Sequence, residues 1–178
     1  DVSDGDAVAV VSAYLKLVSR VKHQVLEQYL ASWSKILGSR HRHIRIVDCF
    51  AGAGRYRDEH GAPLPGSPVI ALRLADKYLQ ENPSRHLSLV FVERDRQTAV
   101  KLREALRLEE LTSAASLNYE VKEEDAEGFV EELVEQERLK ASGASLPTFF
   151  FVDPFGHPLP VQVIRNMLSL PHSEVLVN

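Results

Sequence analysis

At 178 residues, with 44% apolar and 26% charged side chains, the chain has the length and balance of one soluble globular domain with a single sizeable core. Its formal net charge of −4 gives no general attraction to nucleic acid, and its one cysteine, Cys49, excludes a disulfide framework and a thiolate metal site. No apolar run reaches the ~20 residues of a membrane span and the start has no signal-peptide pattern, so a cytoplasmic protein is expected.

Residues 7–37 read as a helix, with Val11, Tyr14, Val18, Val21, Val25, Tyr29, Trp33 and Ile36 as its apolar stripe and Gly38 as its stop. The β-branched run "IRIV" (44–47) is a first strand, and 49–67, with its glycines and prolines, reads as a loop. Ser67-Pro68 has the form of an N-cap with proline in the first turn, opening a helix to about Gln80. A second strand follows at 87–92, and Asp95 caps a helix over 96–110. The third strand is "LNYEV" (117–121), succeeded by an acidic helix from Ala126 to Lys140. "TFFFV" (148–152) has the continuous apolar character of a buried parallel strand. A helix near 160–169 and a fifth strand at 174–177 complete the pattern. The alternation predicts a doubly wound α/β sheet over 41–178, with 1–40 a helical segment packed on it. The chain opens at Asp1 and closes directly after the apolar run "EVLV", so further C-terminal strands are expected beyond Asn178.

In such sheets ligands bind beyond the carboxyl ends of the strands. The turn "DCFAGAG", with Asp48, Phe50, Gly52 and Gly54, lies there after strand one. Glu93 follows strand two, Asp125 strand three and Asp153 strand four. Each has an ordinary explanation alone: glycine relieves a turn, and Asp125 can simply cap the next helix. The set is harder to explain that way. A dinucleotide turn would place glycine at position 57 and run into a helix, but Arg57 stands there and a proline-rich loop follows. No G-K-[ST] occurs, so there is no P-loop. A nucleoside-bearing methyl donor asks for less. Backbone N–H groups meet its amino-acid end, a carboxylate such as Glu93 accepts both hydrogen bonds of a ribose diol, and an acidic pocket suits a sulfonium charge.

At these residues the chain resembles the class I S-adenosylmethionine-dependent methyltransferases, and more narrowly the three-Cys-motif partner family. The resemblance is carried by "KHQVLEQYLASWSKIL", "IVDCFAGAGRY", "PGSPVIAL", "FVERD" and "FFFVDPFG", in that order. The same skeleton is similar to the enzymes that methylate adenine N6 in large-subunit ribosomal RNA. The resemblance implies a Rossmann-like sheet in the order 3-2-1-4-5, with S-adenosylmethionine as cofactor. It also implies that Lys22 and His23 approach the donor, that Ser67, Glu93 and Asp125 contact it, and that Asp153 stands at the catalytic position. His23 by itself reads as an ordinary helix histidine, and Ser67 as a cap. Amino-methylating enzymes of this kind end in D-P-P-Y, whose aromatic ring stacks on a flipped base. Here the segment is Asp153-Pro154-Phe155-Gly156. Pro154 and Phe155 are the substrate-binding candidates, and the stacking position is glycine.

The expected function is methyl transfer to a nitrogen of a nucleic-acid base, RNA or DNA, with Asp153 orienting the acceptor amine. The rival reading is a protein that keeps the methyltransferase fold but works by association, with a three-Cys-motif protein as the implied partner.

Overall fold

The computed structural model describes residues 4–57, 61–113, 116–140, 145–154, 156 and 159–178, with side chains described from residue 21 onward. Helix α1 (Asp4–Arg40) leads into strand β1 (His43–Asp48). A short antiparallel hairpin, β2 (Arg55–Arg57) and β3 (Pro63–Pro65), precedes α2 (Ser67–Glu81). Then come β4 (His86–Val92), α3 (Arg96–Arg107), β5 (Leu117–Lys122), α4 (Ala126–Leu139), β6 (Thr148–Val152), α5 (Val161–Leu168) and β7 (Ser173–Val177). The main sheet has five strands in the order β5-β4-β1-β6-β7, and every pairing in it is parallel. It is a mixed α/β architecture compatible with a Rossmann-like fold.

Both faces of the sheet are covered, which is why its inner strands read as unbroken apolar runs. On one face Ile44, Ile46, Leu87, Leu89, Phe91, Phe149 and Phe151 pack with Leu26, Leu30 and Trp33 of α1, Leu72 and Leu79 of α2, and Leu102 and Leu106 of α3. On the other, Val47, Val90, Val92, Phe150 and Val152 pack with Phe129, Val130 and Leu133 of α4 and Val163 and Met167 of α5. The register puts Asp48 beside Phe91 on one side and Phe151 on the other, so β1 ends one residue short of both neighbours. No helix among the described residues is long and apolar enough to cross a membrane.

Several sequence expectations are corrected here. The stripe of α1 that enters the core is Leu26, Leu30 and Trp33, with Leu37 packed against it, whereas Val21, Val25, Tyr29 and Ile36 are exposed. The helix carries apolar residues on two faces, so spacing alone does not choose between them. Val11, Tyr14 and Val18 lie outside the described side chains. Gly38 does not stop α1, which runs on to Arg40. It serves close packing instead: a Cβ there would stand 1.8 Å from the Tyr78 hydroxyl of α2. The N-cap of α2 is Gly66, and Ser67 is already helical. The loop over 49–67 contains the β2–β3 hairpin, whose strands are three residues each and partly proline, too short for a periodicity signal. Helix α3 ends at Arg107 rather than 110.

Phe149 ties α1 to the sheet. Its fully buried ring lies 5.5 Å from Tyr29 and 5.6 Å from Trp33, centroid to centroid. Phe149→Ala should therefore cost about 3–5 kcal/mol in urea unfolding and lower the melting temperature by about 10 °C. Val100→Ala, at an exposed position of α3, should stay within about 0.5 kcal/mol of wild type.

Candidate functional site

The chain leaves β1 at Asp48 and must turn before the β2–β3 hairpin. Backbone bonds hold that turn to both flanking strands: Cys49 N–H donates to Phe151 O at 2.9 Å and Ala51 N–H to Val92 O at 3.0 Å. Gly52 and Gly54 then adopt φ of 61° and 73°, a region open to glycine at little cost. A Cβ at Gly54 would also lie 2.8 Å from the tip of the Leu102 side chain, which would have to shift. Gly66 N–H closes the loop onto Gly54 O at 2.8 Å.

Glu93, at the end of β4, reaches across to this turn. Its Oε2 accepts the Gly52 N–H at 3.0 Å, and its Oε1 accepts the Asp95 N–H at 2.8 Å. Each oxygen keeps a lone pair for a further donor. Asp125 stands at the end of β5 as the N-cap of α4, its carboxylate accepting the Gly128 N–H at 2.9 Å.

Asp48 is 2% exposed. Its Oδ1 accepts the Phe50 N–H at 3.2 Å, and the Ser67 hydroxyl hydrogen-bonds the same carboxylate. Oδ2 is buried with no hydrogen-bond partner among the described residues. Burial raises its pKa to about 6, opposed by the Ser67 and Phe50 hydrogen bonds and reinforced by the negative charges of Asp153 and Glu93. Ser67 thus serves the carboxylate of β1 rather than the end of its own helix.

Asp153 follows β6, and α1 lays Lys22 over it, Nζ to Oδ1 at 3.6 Å. His23 is half-buried beside them. Burial lowers its pKa, Asp153 pulls it up and Lys22 pushes it down. The structure therefore brings Lys22, His23, Asp48, Gly52, Ser67, Glu93 and Asp153 to one edge of the sheet. Phe50 and Pro154 are partly buried at the same strand ends, and Phe155 lies outside the described residues.

Tyr56 is the residue that sequence reasoning left without a role. It sits on β2 with nearly half its surface exposed, yet its hydroxyl would be 2.6 Å from a Cβ on Gly52. Burial raises its pKa, and Asp48, Asp153 and Glu93 raise it further, so the phenol stays protonated among three carboxylates. Arg55, next to it, pairs with Glu109 just beyond α3, and Arg73 of α2 pairs with the same carboxylate at 2.6 Å. This clamp holds the hairpin over the glycine turn. No local spacing announces it, because Glu109 is distant in sequence from both arginines.

Among the described residues the site is rich in carboxylates, with the Lys22 ammonium close to Asp153, which suits a ligand carrying positive charge. Cys49 contributes no nucleophile: burial pushes its thiol well above the usual range, and Asp48 adds to the effect.

Asp48 makes the site's pH behaviour testable. With its folded pKa raised from 3.8 to about 6, the native state holds a proton that the unfolded chain has released. Stability contributed at low pH is lost as pH rises from about 4 through about 6, by on the order of 3 kcal/mol. The urea unfolding free energy of wild type minus that of Asp48→Asn should fall by that amount between pH 4 and 7. A constant difference across that range would show that Asp48 ionises as an ordinary carboxylate.

No family model matches the chain, and no curated protein matches it either.

Proposed function

We propose that the chain is an S-adenosylmethionine-binding, methyltransferase-like protein that transfers a methyl group to a nitrogen of a nucleic-acid base. The observation that carries this reading is the Glu93 carboxylate reaching the Gly52 N–H beside a buried Asp48 whose Oδ2 lacks a partner among the described residues. The sheet order β5-β4-β1-β6-β7 supports the class I methyltransferase assignment, since it sets the glycine turn, Glu93 and Asp153 on adjacent strands.

The residues present fit the donor. Glu93 retains acceptor capacity for a ribose diol, and Asp48 Oδ2 would accept a hydrogen bond from an ammonium. Together with Asp153 they favour a cation over the pyrophosphate of a dinucleotide. S-adenosylmethionine supplies an electrophilic methyl on sulfur, so the protein's task is positioning. Asp153 would accept a hydrogen bond from the acceptor amine and hold it in line, exchanging its ion pair with Lys22 for that contact. His23, kept neutral by burial, would bound the donor side.

One observation favours the association reading. The position that bears an aromatic ring in D-P-P-Y is Gly156, with φ of 69°. A protein acting through a three-Cys-motif partner would not need that ring.

Saturating S-adenosylmethionine should raise the melting temperature, the stabilisation being about 2.7 kcal/mol at ~100 times the dissociation constant. Glu93→Ala should shrink that shift more than Glu93→Gln, which keeps an acceptor. A shift with NAD and none with S-adenosylmethionine would overturn the donor assignment.

Asp153→Ala should abolish methyl transfer while leaving donor affinity within about threefold, roughly 0.6 kcal/mol. Methyl transfer retained by the folded variant would remove Asp153 from catalysis. Donor binding by wild type with no transfer to RNA or DNA would put the association reading first.

A further inference from the structure

The opposite edge of the sheet, at the N-terminal ends of the strands, carries a second cluster of polar side chains. A cleft of about 430 Å³ opens there, lined by His43, His86, Ser88, Ser116 and Asn118, with Leu87 and Leu117 between them along the strands. The parallel register sets His43 beside His86, Arg45 beside Ser88, and Ser88 beside Asn118, so these side chains leave the sheet on one face. It is the face that further along is apolar, with Val47 and Val90 against α4. At its last two rows the apolar pattern is replaced by hydroxyls, an amide, imidazoles and a guanidinium.

Those groups have capacity to donate and excess positive charge around them. Arg45 Nη2 and Lys140 Nζ both donate to Glu137 Oε1, at 2.9 and 2.8 Å. Two cations share one carboxylate. Arg45 Nη1 is buried with no partner among the described residues, as is Glu137 Oε2. The next carboxylate on that face, Glu120, pairs with Lys122 at 3.2 Å. His43 Nε2 lies 2.8 Å from Ser88 Oγ, and the His43 and His86 rings are 6.1 Å apart. Burial holds the His43 pKa down, and His86, Arg45 and Lys140 push it the same way, which places the Arg45 guanidinium and the Lys140 ammonium within electrostatic reach of this edge. The pair is not a metal site by number: no three His, Cys, Asp or Glu among the described residues gather to hold an ion.

We propose that this cleft is an oxyanion site that takes a phosphate group, free or within an oligonucleotide. An anion there would relieve the repulsion among the cations, accept from Ser88, Ser116 and Asn118, and favour protonation of both imidazoles. Charge-assisted hydrogen bonds of this kind are the strong ones. The site is independent of the methyl-donor reading, since it shares no residue with the glycine-turn edge.

Imidazole resonances of the intact chain, followed by NMR at pH 6.5 during titration with inorganic phosphate, test it. Saturable shifts are expected at His43 and His86. None are expected at His41 and His172, whose tilted rings lie 5.0 Å apart on the same edge but outside the cleft. Sodium chloride at equal ionic strength should not reproduce the shifts. The double variant His86→Ala, Ser88→Ala should weaken phosphate binding at least tenfold, with circular dichroism confirming its fold. Asn118→Ala, at an exposed position, should weaken it severalfold on an intact scaffold. Equal shifts with chloride, equal shifts at all four histidines, or unchanged affinity in folded variants would overturn the proposal. Competition by a 5′-phosphorylated oligonucleotide alone would identify a terminal phosphate. Competition by the unphosphorylated one as well would identify the backbone, and competition by neither would leave a small free oxyanion as the ligand.

Discussion

The candidate site depends on the confinement of β1. It is hydrogen-bonded on both sides by parallel strands and covered on both faces by helices, so none of its side chains before Asp48 can reach a ligand beyond the carboxyl edge. The chain first meets open space at its carboxyl end, and it does so held to Phe151 and Val92 by main-chain bonds. Every other group of the site is placed relative to that exit. Glu93 bonds the turn directly, Ser67 bonds the last carboxylate of the strand, and Asp153 ends the neighbouring strand. Parallel pairing brings strand ends to a common edge, and that edge is where α/β sheets bind ligands.

Two buried aspartates show the difference between a carboxylate used for structure and one left available. Asp76 of α2 is 6% exposed. Burial would raise its pKa, but the N–H groups of Ser113 and Thr112, at 2.7 and 3.0 Å, and the Gln80 amide at 2.7 Å bring it below its ordinary value. It pins the segment after α3 and has nothing left to offer. Asp48 is as deeply buried, has two hydrogen bonds and an orphan oxygen, and has its pKa raised. A protein with no use for that oxygen would gain stability by satisfying it.

Charge is distributed between the two ends of the strands in opposite senses. The carboxyl edge gathers Asp48, Glu93 and Asp153, with Lys22 on Asp153, while at the amino edge Arg45 and Lys140 share Glu137 near the His43 imidazole. The chain's formal charge of −4 conceals this division, because whole-chain composition averages over a distance that charges at the two edges do not bridge. A weakly acidic total is thus compatible with a locally cationic surface.

The strands and helices of the sheet were legible in the sequence because each is set by a local pattern: β-branched or aromatic runs, caps such as Asp95 and Asp125, and alternation of the two element types. The residues of the glycine turn and the acids at the strand ends were legible for the same reason, since parallel topology maps a position after a strand onto one edge. Tertiary structure alone decided which of the two apolar stripes of α1 enters the core, because both have helical spacing and only the sheet surface distinguishes them. It decided that Gly38 accommodates Tyr78 rather than ending a helix, and that Ser67 bonds Asp48 rather than capping α2. It also decided that Tyr56 lies over Gly52, held by Arg55 and Arg73 on Glu109, and that Lys22 meets Asp153. These last contacts join residues far apart in the chain. Local propensity carries no term for such partners, and only the packed fold brings them within reach.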